Sequence, residues 1–408
     1  MADLRWLMDA VDNAAAFRRR RRLQPAGGPG DKIFPPTYPG EGSNTPPRHV
    51  FEKRRIDGQD IPCVLIDSVQ SQANRLEEAL LTAATAGHIS LPRMVVDFPS
   101  SGLNNVPAIS SLEAPHRIFD AILRDSLLDG KAFRQSDIGR RVRQATMHDA
   151  TAILEVSPTA LLFGSWNSTG EGGGLGAKFA RAIVSEIVGI GAAVEEFKDP
   201  RLGGASEMRT AGRRTGSRID PLGIVSSVEI YKNETDWDIS DTNMGKKVKK
   251  ARPSEINHGN IAPSVQSLGV TCDYAEQMAV ITLAGLRRLR FGGDPARDRV
   301  ARALLAALGL VALMEADVQG YALRSRCDLV CDGEAPLETV RFDGKTEIIT
   351  LDLTAARALH QEAYKAAQSV GFDLRSEPIM LTPQAKLVHI VRESQRKALD
   401  DTAAPDGE

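Results

Sequence analysis

The chain has 408 residues, 42% of them hydrophobic and 25% charged, with 51 Lys and Arg against 53 Asp and Glu. That composition is one of a globular domain large enough for several layers and excludes a fibrous or wholly disordered chain. Near-neutral net charge excludes a uniformly basic nucleic-acid binder, though it leaves room for a local basic stripe.

Residues 1–60 read as an arm. "FRRRRRLQ" carries five consecutive arginines, and "PAGGPGDKIFPPTYPGEGSNTPPRH" is too rich in Pro, Gly and Ser to form a regular element. A charge run of this kind is a solvated or partner-facing segment, with RNA one possible partner. The start "MADLRWLMDAVDNAAAF" has three aspartates and no apolar h-region, so no secretory signal is expected.

The first strong strand and helix fall at 61–86, where "CVLIDSVQSQANRLEEALLTAA" changes period. Cys63–Ile66 is an apolar run, and Ala73, Leu76, Leu80 and Leu81 form a helical stripe. The turn between them offers Ser68, Gln70, Ser71, Gln72, Asn74 and Arg75 at a helix N-terminus, a place that suits anions. A strand is expected around Leu91–Val96, then a polar loop and an amphipathic helix, "RIFDAILRDSLL". "ATAILEVSPTALLFGSW" reads as two short strands split at Ser157-Pro158.

The Gly-rich "STGEGGGLGA" then opens an expected helix, "AKFARAIVSEIVG". Gly172, Gly174 and Ala177 fit a permissive GxGxxA pattern. The five residues before Gly172 and the lack of an acidic residue closing a second strand argue against a dinucleotide site. Lys178 is misplaced for a phosphate-binding P-loop, although free N–H groups there could meet a polymer phosphate. Residues 203–260 are loop-rich and basic. Arg209, Arg213, Arg214 and Arg218 crowd into one Gly/Ser/Thr segment, and Lys246, Lys247, Lys249 and Lys250 follow. Basic loops that cannot form an amphipathic helix suit a tracked nucleic-acid backbone, while 5% aromatic content shows no evident stacking platform.

The last third is more regular, with helices at "RVARALLAALGLVALMEA" and "ARALHQEAYKAAQSV" and strands at "GYALRSRCDLVCD" and "EIITLDL". The longest apolar run, Ala303–Met314, is too short to span a bilayer. Residues 396–408 read as a disordered tail. Four scattered cysteines, with "CDLVC" as strand, suit a reduced, soluble, cytoplasmic protein. The seven histidines have no metal-ligand spacing, so no metal, cofactor or catalytic residue is expected. His116, with Arg117 at a helix start, is either a capping residue or, in an RNase, the one pair to test. The alternation of strands and helices, broken by large loops, gives an α+β class.

In order, "LIDSVQSQANRLEEAL", "SLEAPHRIFDAILRDS", "PTALLFGSWNSTGEGGGLGAKFARAIVSEIVG", "GSRIDPLGI", "INHGNIAPS" and "GVTCDYAEQMAVITLAGLRRLRFG" resemble one CRISPR-associated family over residues 50–390. That family is the backbone subunit, in the group numbered seven among Cas proteins and the RAMP superfamily, of the type I-U (I-G) Cascade-like surveillance complex.

The resemblance implies a ferredoxin-like (RRM-type) RAMP palm over 61–395, with a helical finger insertion at 97–150 and a β-hairpin thumb at 203–260. It implies a non-catalytic homo-oligomer along the spacer of CRISPR RNA, presenting the guide for pairing with target DNA. Its further partners would be other type I-G effector subunits and a helicase-nuclease recruited in trans, with no membrane. The RNA-binding candidates are Ser71, Gln72, Asn74, Arg75, His116, Arg117, Lys178, Arg213, Arg214 and Arg218. The other readings left open are a nucleotide-binding enzyme using Gly172–Lys178 and an RNase that cuts CRISPR transcripts.

Overall fold

The protein is described from a computed structural model. The described residues are 2–39, 47–167, 176–198, 206–209, 213–215, 219–233, 236–241, 248–260, 264–266 and 268–403, with backbone alone at 196–198, 206–209, 213–215, 264–266 and 399–403. The chain divides into two compact units, 1–193 with 269–388, and 194–268 with 389–408.

The first unit begins with helix α1 (Leu4–Asn13), capped by Asp3, and runs straight into strand β1 (Ala14–Pro25). A hairpin follows, β2 (Phe51–Ile56) and β3 (Gln59–Asp67), and leads into α2 (Val69–Thr85). Next come β4 (Met94–Val96), β5 (Ile109–Ser110), α3 (Ala121–Arg124), β6 (Ser126–Leu128) and β7 (Lys131–Ala132). Helices α4 (Asp137–Gln144), α5 (Thr151–Val156) and α6 (Thr159–Leu162) precede a short ladder of β8 (Ser165–Trp166) with β9 (Lys178–Phe179). Strand β10 (Ile183–Ile190) closes this part.

The second unit holds short strands: β11 (Glu195–Lys198), β12 (Ser206–Arg209), β13 (Arg213–Thr215), β14 (Ile230–Lys232), β15 (Trp237–Asp238), β16 (Lys249–Ala251) and β17 (Ser264–Gln266). The chain returns to the first unit with β18 (Tyr274–Thr282), α7 (Leu283–Leu286) and the long α8 (Pro295–Gln319). After it come β19 (Tyr321–Arg324), β20 (Cys327–Cys331), β21 (Leu337–Arg341), β22 (Thr346–Ile349), α9 (Leu353–Ser369) and β23 (Ile379–Pro383). Helix α10 (Ala385–Ala403) runs through most of the expected tail, and 404–408 lie outside the described residues.

The main sheet is antiparallel and nine-stranded, in the order β19-β20-β1-β18-β10-β3-β2, with β21 pairing β1 and β22 pairing β21. Helix α2 follows β3, with the 86–182 segment between it and β10, helix α8 lies between β18 and β19, and the two helices pack together over one face of this sheet. Helix α8 is apolar on every face from Ala303 to Met314 and buried along most of its length, capped by Asp294 with Pro295 at its first position. At Gly309 a Cβ would come within 2.9 Å of Ile281, so glycine lets the helix approach β18. A smaller sheet, β5-β4-β23-β6-β7, is built from the 94–132 insertion and β23 near the C-terminus.

Four expectations need correcting. Residues 4–25 are core: Leu7, Val11, Ala14, Phe17, Arg19 and Leu23 are buried, and β1 pairs β18 over eight residues from Ala16 to Leu23. The arginine run sits on a strand, whose period of two sends alternate side chains to opposite faces. Arg19 and Arg21 turn to Asp317 on α8, while Arg18, Arg20 and Arg22 meet Glu338, Glu276 and Asp332. All five guanidinium groups thus have a carboxylate.

"ATAILEVSPTALLF" forms α5 and α6 in place of two strands, because a fully buried apolar run carries no period to separate the two forms. "AKFARAIVSEIVG" forms β9 and β10 in place of a helix, as its β-branched residues favour. "RIFDAILRDSLL" breaks into a 3-10 turn (Arg117–Phe119), α3 and β6, with Asp120 capping the new start. The 97–150 insertion is accordingly mixed helix and strand.

Candidate nucleic-acid interface

The polar turn before α2 is mostly turned inward. Ser68 caps the helix, its hydroxyl accepting from the Ser71 N–H at 3.3 Å. Gln72 is buried, and its amide donates to Asp67 at 2.6 Å. Its carbonyl accepts from Ser185 and Gln277, each at 2.9 Å. Arg75 donates to Asp67 at 3.0 Å and to the Leu323 carbonyl at 2.7 Å. The network continues through Gln277 to Arg19 and Tyr321. Buried polar groups must be paired, and these pair with one another across β3, β10, β18 and α2. Of the candidate residues here, Asn74 is exposed and Ser71 half-buried; Gln72 and Arg75 hold the sheet to its helix.

A second group forms beside the first half of α2. Arg117 grips Glu77 with two bonds of 2.7 Å and donates a third, 3.0 Å long, to the Gly164 carbonyl. Its φ is +52°, a left-handed conformation uncommon for a residue with a Cβ, which these three bonds hold in place. Glu77 is buried, and burial pushes its carboxyl upward against the pull of Arg117. Arg181, half-buried, donates to the carbonyls of Phe163 (3.1 Å) and Val69 (3.4 Å). Burial first, then the neighbouring Arg117, lowers its pKa. Two guanidinium groups therefore face one carboxylate midway along α2, leaving an excess positive charge beside the first half of the helix.

The β8–β9 ladder sits against the 3-10 turn that carries Arg117. Gly164, at φ +82°, starts it; a Cβ there would lie 3.0 Å from the Arg181 nitrogen and 3.2 Å from the Phe179 oxygen. Trp166 pairs with Lys178, whose ammonium lies 5.8 Å from the centre of the exposed indole. Arg181 and the exposed Arg288 line an open cleft of about 390 Å³ whose walls mix Ala180, Ala182 and Gly285 with Met147, Leu161 and Leu289. His116 is exposed, its backbone N–H bonded to Asp120 at 2.9 Å.

The first unit thus brings His116, Arg117 and Lys178 to one region with the first half of α2. Residues 168–175, including Gly172 and Gly174, lie outside the described residues, but the chain resumes at Lys178 as a strand. The helix that a dinucleotide fingerprint needs after its glycines is a strand here, and that reading falls. Arg181, Arg288 and Trp166 were missed as site residues. A strand assignment for 178–190 would have set Arg181 between β9 and β10, not on a helix face.

In the second unit, the backbone of Arg213 and Arg214 lies in β13, paired with β17. Arg218, Lys246 and Lys247 lie outside the described residues. Two of the quoted motifs meet: the Asp220 N–H of "GSRIDPLGI" donates to the Asn260 side chain of "INHGN" at 2.7 Å. His258 packs edge-on to Trp237, and Lys250 pairs with Glu229 at 2.6 Å. Among the described residues there is no acidic or Cys/His group that could hold a metal ion, and no helix is long and apolar enough to cross a membrane.

Residues 17–194 match the model of a family described as CRISPR-associated protein GSU0053. The match runs from β1 to just past β10 and takes in α2, Arg117, Trp166, Lys178 and Arg181, while Arg288 lies outside it. It indicates a CRISPR-associated protein family, which implies a role in CRISPR defence and partners within a CRISPR system. A search of curated proteins found no match.

Proposed function

We propose that the chain is a non-catalytic backbone subunit of a type I-G (I-U) surveillance complex. Copies of it polymerise along the spacer of CRISPR RNA in the cytoplasm and present the guide for pairing with target DNA. Other effector subunits complete the complex, and a helicase-nuclease recruited in trans does the cutting. The protein reads backbone shape and phosphates, while base pairing reads sequence.

The observation that carries this reading is the family match over 17–194, the segment that also holds the cations grouped beside the first half of α2. The strand order supports a ferredoxin-like palm of the RAMP type. With β1, β10, β18 and β20 taken as first to fourth, the sheet reads fourth, first, third, second, and α2 and α8 are the two crossovers. The β2–β3 hairpin, the 86–182 segment and the 194–268 unit are then insertions, the last at the place of a thumb.

The test is co-purification. The chain is expressed with a CRISPR array and its neighbouring genes, and the bound nucleic acid is sized and sequenced. Spacer-length CRISPR RNA is the expected finding. A folded protein that carries no RNA above background contradicts the proposal.

A further inference from the structure

We propose that Trp166 is a stacking platform for one unpaired base of bound RNA, with Lys178 beside it to meet the adjoining phosphate. The inference rests on the RNA-binding reading above and adds to it a contact of different chemistry. Tryptophan normally buries most of its large apolar surface, yet Trp166 is 49% exposed. It also sits on a firm base. The ladder with β9 fixes its backbone, Asn167 extends the pairing with a 3.1 Å bond to Ala177, and Arg117 holds the Gly164 carbonyl two residues earlier. Backbone already ordered by pairing has less freedom for binding to remove.

The surroundings select the occupant. Among the described residues no carboxylate pairs with Lys178, whose ammonium lies over the ring 5.8 Å from its centre, so the ring has a cation beside it that is available to an anion. An apolar peptide would satisfy the indole and leave that charge in a drier place. A nucleotide offers a π-face to the indole and a phosphate to the ammonium within one repeat of its chain. Stacking on aromatic side chains tolerates any base, as a scaffold that accepts every spacer requires.

Tryptophan fluorescence tests this directly. The chain has three tryptophans, and Trp6 is stacked on Phe17, so a Trp237→Phe background leaves Trp166 as the exposed reporter. Full-length protein is titrated with oligouridine RNA, the same-length DNA, and an abasic sugar-phosphate of equal length, with filter retention measured in parallel. RNA should quench emission saturably, the abasic strand should bind without quenching, and Trp166→Leu should abolish the quench and weaken RNA binding roughly tenfold. Retention of RNA with no quench, or equal affinity in Trp166→Leu shown folded by circular dichroism, overturns the stacking site and leaves the RNA-binding reading intact. Quenching by DNA alone overturns its assignment to RNA. No retention of any strand overturns both.

Discussion

Arg19 holds Asp317 with two bonds of 2.6 and 2.9 Å, and its side chain is 1% exposed between β1 and α8. A second arginine, Arg21, reaches the same carboxylate at 2.9 Å. One acidic residue on the long helix is therefore shared by two cations of the five-arginine run. Asp317→Asn keeps the shape but leaves Arg19 charged in a buried place, so a loss of roughly 3–5 kcal/mol is expected. Urea denaturation checks it, with Glu276→Gln as the contrast. That change removes the partner of the exposed Arg20 and should cost below about 1 kcal/mol.

His360 is fully buried on α9, and burial lowers its pKa to about 4. His49 shifts the same way. Its Nε2 accepts from the Gly269 N–H at 2.8 Å and its Nδ1 faces the Pro36 carbonyl at 3.1 Å, an arrangement that requires the neutral ring. Both rings take up protons more readily in the unfolded chain, whose histidines titrate near pH 6.5. Their contribution is complete above that value and falls away as the pH drops towards 4. For His360 alone the loss reaches about 2 kcal/mol by pH 5. Melting temperatures measured between pH 7.5 and 5 should fall, and less steeply in His360→Gln.

Arg181 and Arg117 should answer differently to mutation. Arg181→Gln removes a cation bonded only to carbonyls and is expected to weaken RNA binding several-fold at low salt. The slope of log affinity against log salt should decrease by about 0.7 for one lost phosphate contact. Arg117→Ala instead strands the buried Glu77 and should destabilise the fold by roughly 3 kcal/mol. A binding isotherm taken beside a denaturation curve separates the two roles.

Gly176 lies where a Cβ would come within 1.9 Å of the Asn167 carbonyl, a backbone contact that cannot yield. Gly176→Ala is expected to open the end of the β8–β9 ladder. Hydrogen exchange at the Asn167 amide, which is bonded to Ala177, should then quicken while the main sheet keeps its protection. Unchanged exchange at Asn167 would show that the ladder does not depend on this close approach.

How far the sequence revealed this arrangement depended on period. The step from β3 to α2 was legible because an apolar run gave way, past Ser68, to a 3.6-residue stripe. Helix α8 was legible from its length. The arginine run misled because composition alone cannot show a carboxylate nearly 300 residues away, and Asp317 supplies one. The turn residues Gln72 and Arg75 looked like ligand contacts for a related reason. Their partners, Ser185, Gln277 and Leu323, come from distant strands. The pair His116 and Arg117 and the separate Lys178 were picked out from the sequence, but only folding shows that they share a region with Arg181 and Trp166.

The most direct test of the proposed function is the mass of the complex as a function of RNA length. Purified protein is mixed with single-stranded RNAs of increasing length and weighed by mass photometry. A backbone subunit should add whole copies of a 44.1 kDa chain at regular increments of nucleotides, whatever the sequence. One copy at every length, or copies that follow sequence and ignore length, would contradict it.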